Sequence, residues 1–167
     1  MDAVAASCSH VERALGKSPA FRKVEDCLYV VKQGSTYVMI NVLPTGRENP
    51  TDKAVVRVLA QVVSGVRPEA SLFRQLLILN GQLRFGAFAY VPDGDLVIFC
   101  HTILGGTEMD PREIVATVHD VALVADDYDD RIVARYGGQR MQDVVEQSAL
   151  NHLFGGPASP DRFDEDL

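Results

Sequence analysis

The chain has no tryptophan, only three cysteines, and no apolar run of the roughly eighteen residues that a membrane-spanning helix requires. A membrane is therefore not an expected partner. Met1 to Gly16 lacks the basic start and long apolar core of a signal peptide, so the expected location is the cytoplasm. Cys8, Cys27 and Cys100 are odd in number, widely spaced and without a CxxC pair, which argues against both a zinc knuckle and a disulfide framework. Reduced thiols are expected, with Cys27 and Cys100 inside strands. Positive charge is scarce as well: 16 Lys and Arg face 23 Asp and Glu, for a formal charge of −7, and no basic stripe occurs. Nucleic acid, whose phosphates require clustered cations, is excluded as an expected partner.

The signatures of several chemistries are also missing. There is no GxxxxGK[ST] or GxGxxG phosphate loop, no glycine-punctuated calcium loop and no nucleophile elbow. His10, His101, His119 and His152 are scattered. His101 adjoins Cys100, but neighbours in a strand point to opposite faces and cannot meet as nucleophile and base. No catalytic residue, cofactor or metal site is expected.

What remains is material for one core: 167 residues, 47% of them hydrophobic. Val4, Cys8, Val11 and Leu15 recur at helical spacing in Ala3 to Leu15, before Gly16. Cys27 to Val31 and Tyr37 to Leu43 are β-branched and aromatic runs separated by Lys32, Gln33, Gly34 and Ser35, which predicts a hairpin. Pro44 to Lys53 reads as a loop, and Ala54 to Val63 as a third strand rich in valine. Pro68 and Glu69 open a helix carrying Leu72, Phe73, Leu76, Leu77 and Leu79, ending at Asn80 and Gly81. Leu83 to Val91 and Leu96 to Thr102 flank Pro92, Asp93, Gly94 and Asp95 as a second hairpin. Asp110, Pro111 and Glu113 supply cap, first helical position and back-reaching acid for a long helix to about Tyr136, closed by Gly137 and Gly138. Met141 to Phe154 offers a short amphipathic helix, and the Gly-, Pro- and Asp-rich remainder predicts disorder. The expected fold class is α+β, in the order α-β-β-β-α-β-β-α, with an antiparallel five-stranded sheet. The expected organisation is a domain over 1–138, an amphipathic segment over 139–154 and an acidic tail over 155–167.

Alternation along the strands gives the first functional hint. Val38, Ile40, Val42, Val56, Val58 and Val62, with Phe85 and Ala87, would form the face that seats the helices. The opposite face would hold Tyr37, Met39, Leu43, Val55, Leu59, Val63, Phe88 and Tyr90, interrupted by Asn41, Arg57 and Arg84. Water is a poor partner for such a surface, so a bound peptide, a second copy or the chain's own helices should cover it. The best candidate contacts are Tyr37, Met39, Leu59, Phe88 and Tyr90.

Two polar features invite other readings. The carboxylates of Asp126, Asp127, Asp129 and Asp130 could meet a basic partner, with Asp126 and Asp130 the candidate contacts; a salt-laced helix face is the simpler use of such spacing. The repulsion between these two acids would be relieved by a cationic partner or by the region of Arg140. Gly105 and Gly106 precede a helix and could hold an anion, but Asp110 would already occupy the positive end of that helix, which favours a structural turn.

Tyr29 through Val42 with its Gly34-Ser35 turn, Leu76 through Phe88 (LLILNGQLRFGAF), His101 through Met109 (HTILGGTEM) and Ala125 through Gly138 (ADDYDDRIVARYGG) together resemble the YbjN family. They also resemble the related type III secretion chaperone-like, peptide-binding chaperone domains of actinobacterial type. The resemblance covers roughly Leu15 to Gly138. It implies a homodimeric or partner-bound chaperone fold, without catalytic residues, that handles an extended segment of a client protein. A small-molecule or ion-sensing regulator of the same fold, using Gly105-Gly106 or the Asp126 to Asp130 cluster, is the alternative expectation. Fold alone does not decide between them.

Overall fold

Asp2 caps the first helix, its carboxylate accepting from the Val4 N–H at 3.1 Å. The structure is a computed structural model and describes residues 2–45 and 53–145. The elements are α1 (Ala3–Leu15), β1 (Phe21–Glu25), β2 (Leu28–Gln33), β3 (Thr36–Pro44), β4 (Ala54–Ser64), α2 (Ala70–Gln82), β5 (Ala87–Val91), β6 (Leu96–Leu104), α3 (Pro111–Tyr136) and β7 (Gln139–Arg140). A helical turn follows over 141–145.

The α+β class and the antiparallel sheet hold, but the sheet has seven strands instead of the expected five. Its order is β1-β2-β3-β4-β6-β5, with β7 paired to the end of β4. The two unforeseen strands carry little pattern. β1 reads FRKVE and leans on the sheet through Phe21, stacked on Tyr29 at 5.4 Å, while β7 is two residues long. The expected strand from Leu83 starts only at Ala87. Gly86 explains the delay: its φ is +64°, and a Cβ there would strike the Phe99 ring.

The long helix begins where its signals place it. Asp110 accepts from the Arg112 N–H at 2.9 Å, Pro111 takes the first turn, and the Arg112 guanidinium donates to the capping carboxylate at 2.8 Å. α2 runs past Asn80 and Gly81 to Gln82. Propensity is overridden there because Asn80 has a tertiary task, described below.

The three helices lie on one face of the sheet. Val38, Ile40, Val56, Val58, Ala60, Val97 and Phe99 are fully buried, and Ile114, Val118, Val121, Ala122 and Ala125 of α3 close over the same core. Phe99 is wedged between Phe85 and Phe88, with ring centroids 6.1 and 5.0 Å away.

Cysteine usage requires a correction. Cys8 on α1 and Cys27 form a disulfide across 19 residues, with Cα atoms 5.7 Å apart. Cys27 sits in the β1–β2 turn at φ +60°, outside any strand; Cys100 alone is free. Linear spacing does not reveal this pair, because the two residues meet only when α1 packs over the first hairpin.

Candidate functional site

The strand register sorts side chains into rows across the sheet, and alternate rows face opposite sides. One row runs Val31–Val38–Ala60–Phe99–Phe88 and lies under the helices. The adjacent row runs Val30–Met39–Leu59–Cys100–Ala87 and faces the other way. On that second face two further rows follow on one side of it: Leu28–Asn41–Arg57–Thr102, then Leu43–Val55–Leu104. None of the three helices covers these residues. Met39 is 39% exposed and Leu104 81%, against 0% for Val38 and Ile40.

This open face is mainly apolar, and from β2 to β6 it carries no carboxylate. Its charges are Lys32 and Arg57. Lys32 lies 5.7 Å from the centroid of the Tyr37 ring. Arg57, half-buried at the middle of the central strand, makes no hydrogen bond or ion pair among the described residues. A guanidinium held among Asn41, Thr102 and aliphatic side chains is placed to donate to a carboxylate or to backbone carbonyls.

Of the residues expected to contact a partner, Tyr37, Met39 and Leu59 stand on this face. Phe88 and Tyr90 do not, and their placement is corrected. Phe88 is 4% exposed and packs against Phe99 and Tyr128, while Tyr90 meets Phe73 edge-on at 5.1 Å and bonds its hydroxyl to Asp95. Val63 is buried as well, because a bulge between Gln61 and Val63 turns it inward; Ala87, conversely, belongs to the open face. Alternation separates two sets of side chains within a strand, but only the cross-strand register says which set looks at the helices. Arg57 stands on the open face as expected, and the face gains Val30, Cys100 and Leu104.

Asp126 and Asp130 lie on α3, on the helical side of the sheet. Asp126 accepts from Ser35 Oγ at 2.8 Å, and Asp130 pairs with Arg140 at 3.0 Å, so Arg140 relieves the repulsion between them. Arg140 also grips Asp143 at 2.8 Å, which holds that carboxyl below its ordinary range. Burial, with the neighbouring Asp130 and Asp126 charges adding, pushes Asp129 up. Among the described residues no group of three or more His, Cys, Asp or Glu could hold a metal ion. The Gly105-Gly106 turn is structural. The Gly106 N–H donates to Ser7 Oγ at 2.8 Å, Gly105 N–H to the Ala54 carbonyl at 2.8 Å, and a Cβ on Gly105 would come within 2.5 Å of Ser7 Oγ. His101 faces away from Cys100 and accepts from the Gly86 N–H through Nδ1 at 3.1 Å.

The sheet edges differ. On β5, the Asn80 amide donates to the Phe88 carbonyl at 3.0 Å and accepts from the Phe88 N–H at 2.7 Å, reproducing the two bonds of a neighbouring strand. That edge is blocked at Phe88. The opposite edge is β1, bulged between Lys23 and Glu25, with Val24 55% exposed.

Helices on one face of an antiparallel sheet, with a largely apolar second face that none of the described helices covers, define an α+β scaffold of helices on a single side. The chain belongs to the family described as TY-Chap1, the T3SS (YopN, CesT) and YbjN peptide-binding chaperone 1, whose model matches residues 5–144. Comparison with the curated proteins finds no match. Among solved structures, the fold is similar to a chain in the crystal structure of the ExsC-ExsE complex. The two are 16% identical with a TM-score of 0.60, and the match covers 79% of this chain and 97% of that one. No helix among the described residues is long and apolar enough to cross a membrane.

Proposed function

We propose that this protein is a non-enzymatic chaperone that holds an extended, apolar segment of a client polypeptide on the open sheet face. One observation carries the reading: the Val30–Met39–Leu59–Cys100–Ala87 row, uncovered by any of the three described helices, beside an Arg57 without a partner among the described residues. An extended segment laid across these strands would bury alternate apolar side chains on the row and present carbonyl or carboxylate oxygens to Arg57. Membership of a peptide-binding chaperone family supports this, as does a structural neighbour solved as a complex of two named proteins. Free strand groups on β1 would allow a client to extend the sheet there, since Asn80 closes the other edge.

Fluorescence anisotropy with a panel of labelled twelve-residue peptides, apolar at alternate positions and carrying one acidic residue, tests this. Some members should bind, and Leu59→Glu should weaken them by about 2 kcal/mol, roughly thirtyfold, because it desolvates a charge against an apolar ligand. Undiminished binding by a folded Leu59→Glu variant would place the client elsewhere.

Self-association has its own observation. Leu77 and Ile78 on the outer side of α2 are 71% and 51% exposed, the kind of apolar pair that a second copy covers. We propose that the protein forms a homodimer through α2. Sedimentation should report a dimer for the native chain and a monomer for Leu77→Glu; a monomer in both cases removes the proposal.

A further inference from the structure

Between α2 and α3, on the helical side of the molecule, lies a cleft of about 230 Å³. Gln75, Leu79 and Gln82 line it from α2 at a spacing of one helical turn, so they form a single stripe. From α3 come Tyr128, Arg131, Ile132, Arg135 and Tyr136. Leu79 and Ile132 are buried and, with the two tyrosine rings, supply the apolar part of the lining.

The charged part of the lining is of one sign. In a chain of formal charge −7, two arginines and no carboxylate line the cleft, and α2 carries no Asp or Glu along its length. Arg131 and Arg135 stand one turn apart on α3, a spacing at which like charges repel. Among the described residues Arg131 has only a cation–π contact, its Cζ 5.2 Å from the centroid of the Tyr128 ring. Arg135 donates to Gln75 Oε1 at 2.9 Å and lies against the Tyr136 ring; Glu69, whose charge reaches it, is already paired with Arg67 at 3.0 Å. Tyr136 is a second and independent pointer to a ligand. It is 2% exposed, and its hydroxyl is buried with no hydrogen-bond partner among the described residues. Buried hydroxyls are ordinarily paired, and an oxygen-bearing molecule in the cleft would satisfy this one.

We propose that the α2–α3 cleft binds a carboxylate carried on a compact apolar group: Arg131 and Arg135 hold the carboxylate, Tyr136 Oη donates to it, and Leu79, Ile132 and the Tyr128 ring cover the apolar part. Guanidinium groups suit a planar anion, because each offers its N–H donors as a fork that matches two oxygens. An inorganic anion leaves the apolar lining unused, and a neutral apolar molecule leaves both cations unmet. The volume admits a group on the order of ten non-hydrogen atoms. Two sources share this chemistry, a free organic acid and the C-terminal residue of a polypeptide. The site is separate from the open sheet face, since every residue lining it belongs to α2 or α3.

Phenylacetate stands for the free acid and N-acetyl-diglycyl-phenylalanine for the polypeptide end, each set against its own neutral amide. Titration of the full chain, followed by proton–nitrogen NMR including the arginine Nε–H signals, should give saturable shifts centred on Arg131, Arg135 and Tyr136 with at least one of the acids, and binding about tenfold weaker or worse with its amide. Tighter binding of the peptide acid assigns the site to a polypeptide end, and tighter binding of phenylacetate to a free acid. Arg131 and Arg135 are exposed, so Arg131→Gln with Arg135→Gln should leave the fold intact and weaken binding by about tenfold or more. Tyr136→Phe should weaken it about threefold. No saturable binding of either acid, equal binding of the amides, or unchanged affinity in the folded arginine variant overturns the proposal, and unchanged affinity in Tyr136→Phe strikes the hydroxyl from it.

Discussion

Arg57 stands out at the scale of single residues because it is a half-buried cation with no partner among the described residues, in a row otherwise filled by Leu28, Asn41 and Thr102. If it receives the client's acidic group, Arg57→Glu should weaken acidic peptides by tenfold or more and leave uncharged ones nearly unchanged. A uniform loss across both peptide classes would assign Arg57 to packing alone. Tyr29 shows the opposite treatment of a polar group. Burial first, then the 3.0 Å bond to Glu12, holds its phenol well above the usual value near 10. The folded protein keeps this proton where the unfolded chain releases it. Its contribution to stability is therefore full below about pH 10 and declines as pH rises toward the raised folded value. Phenolate absorbance should show Tyr29 ionising late, and Tyr29→Phe should remove that late component. Tyr90, raised chiefly by its bond to Asp95, should also lag. A titration in which all five tyrosines ionise together near pH 10 would contradict both assignments.

Among the elements, the helix limits were the most legible. Asp110, Pro111 and the Gly137-Gly138 stop bound α3, and the apolar spacing of α1 gives Ala3 to Leu15, because caps and the helical period are local signals. α2 was misjudged at its end for a long-range reason: Asn80 serves the edge of β5, a role that sequence does not announce. Asn80→Leu should cost about 1–3 kcal/mol by leaving the Phe88 N–H and carbonyl without partners, and should promote association through the freed edge. Chemical denaturation and light scattering check this; an unchanged midpoint would mean that β5 needs no such guard. The Cys8–Cys27 bridge ties α1 to the first hairpin, so Cys8→Ser with Cys27→Ser should lower stability by about 3 kcal/mol for a loop of this size. Thiol titration of the unfolded, unreduced chain should count one thiol, Cys100, rising to three on reduction. Three thiols before reduction would refute the bridge.

For the whole molecule, the decisive information is register, and that is the part the sequence conceals. The class, the antiparallel hairpins and the existence of a surplus apolar face were readable from period-two alternation in Tyr37 to Leu43 and Ala54 to Val63. Alternation places Tyr37, Met39 and Leu59 on the open face. It misplaces Phe88 and Tyr90, because β5 meets β6 with Phe88 opposite Phe99, which turns both aromatics toward α2 and α3. The described helices thus gather on one side, the self-contact proposed for α2 lies outside the sheet, and the remaining face is the one proposed to receive an extended polypeptide. A photo-reactive side chain placed at Leu59, on the open face, and in a second sample at Leu123, exposed on the outer side of α3, tests that division directly. Irradiated in cells, the Leu59 probe should yield a discrete adduct whose cross-linked residues map to one extended segment of a client, and the Leu123 probe should yield none of it. The same adduct from both positions, or none from Leu59 with the protein folded, would contradict the account.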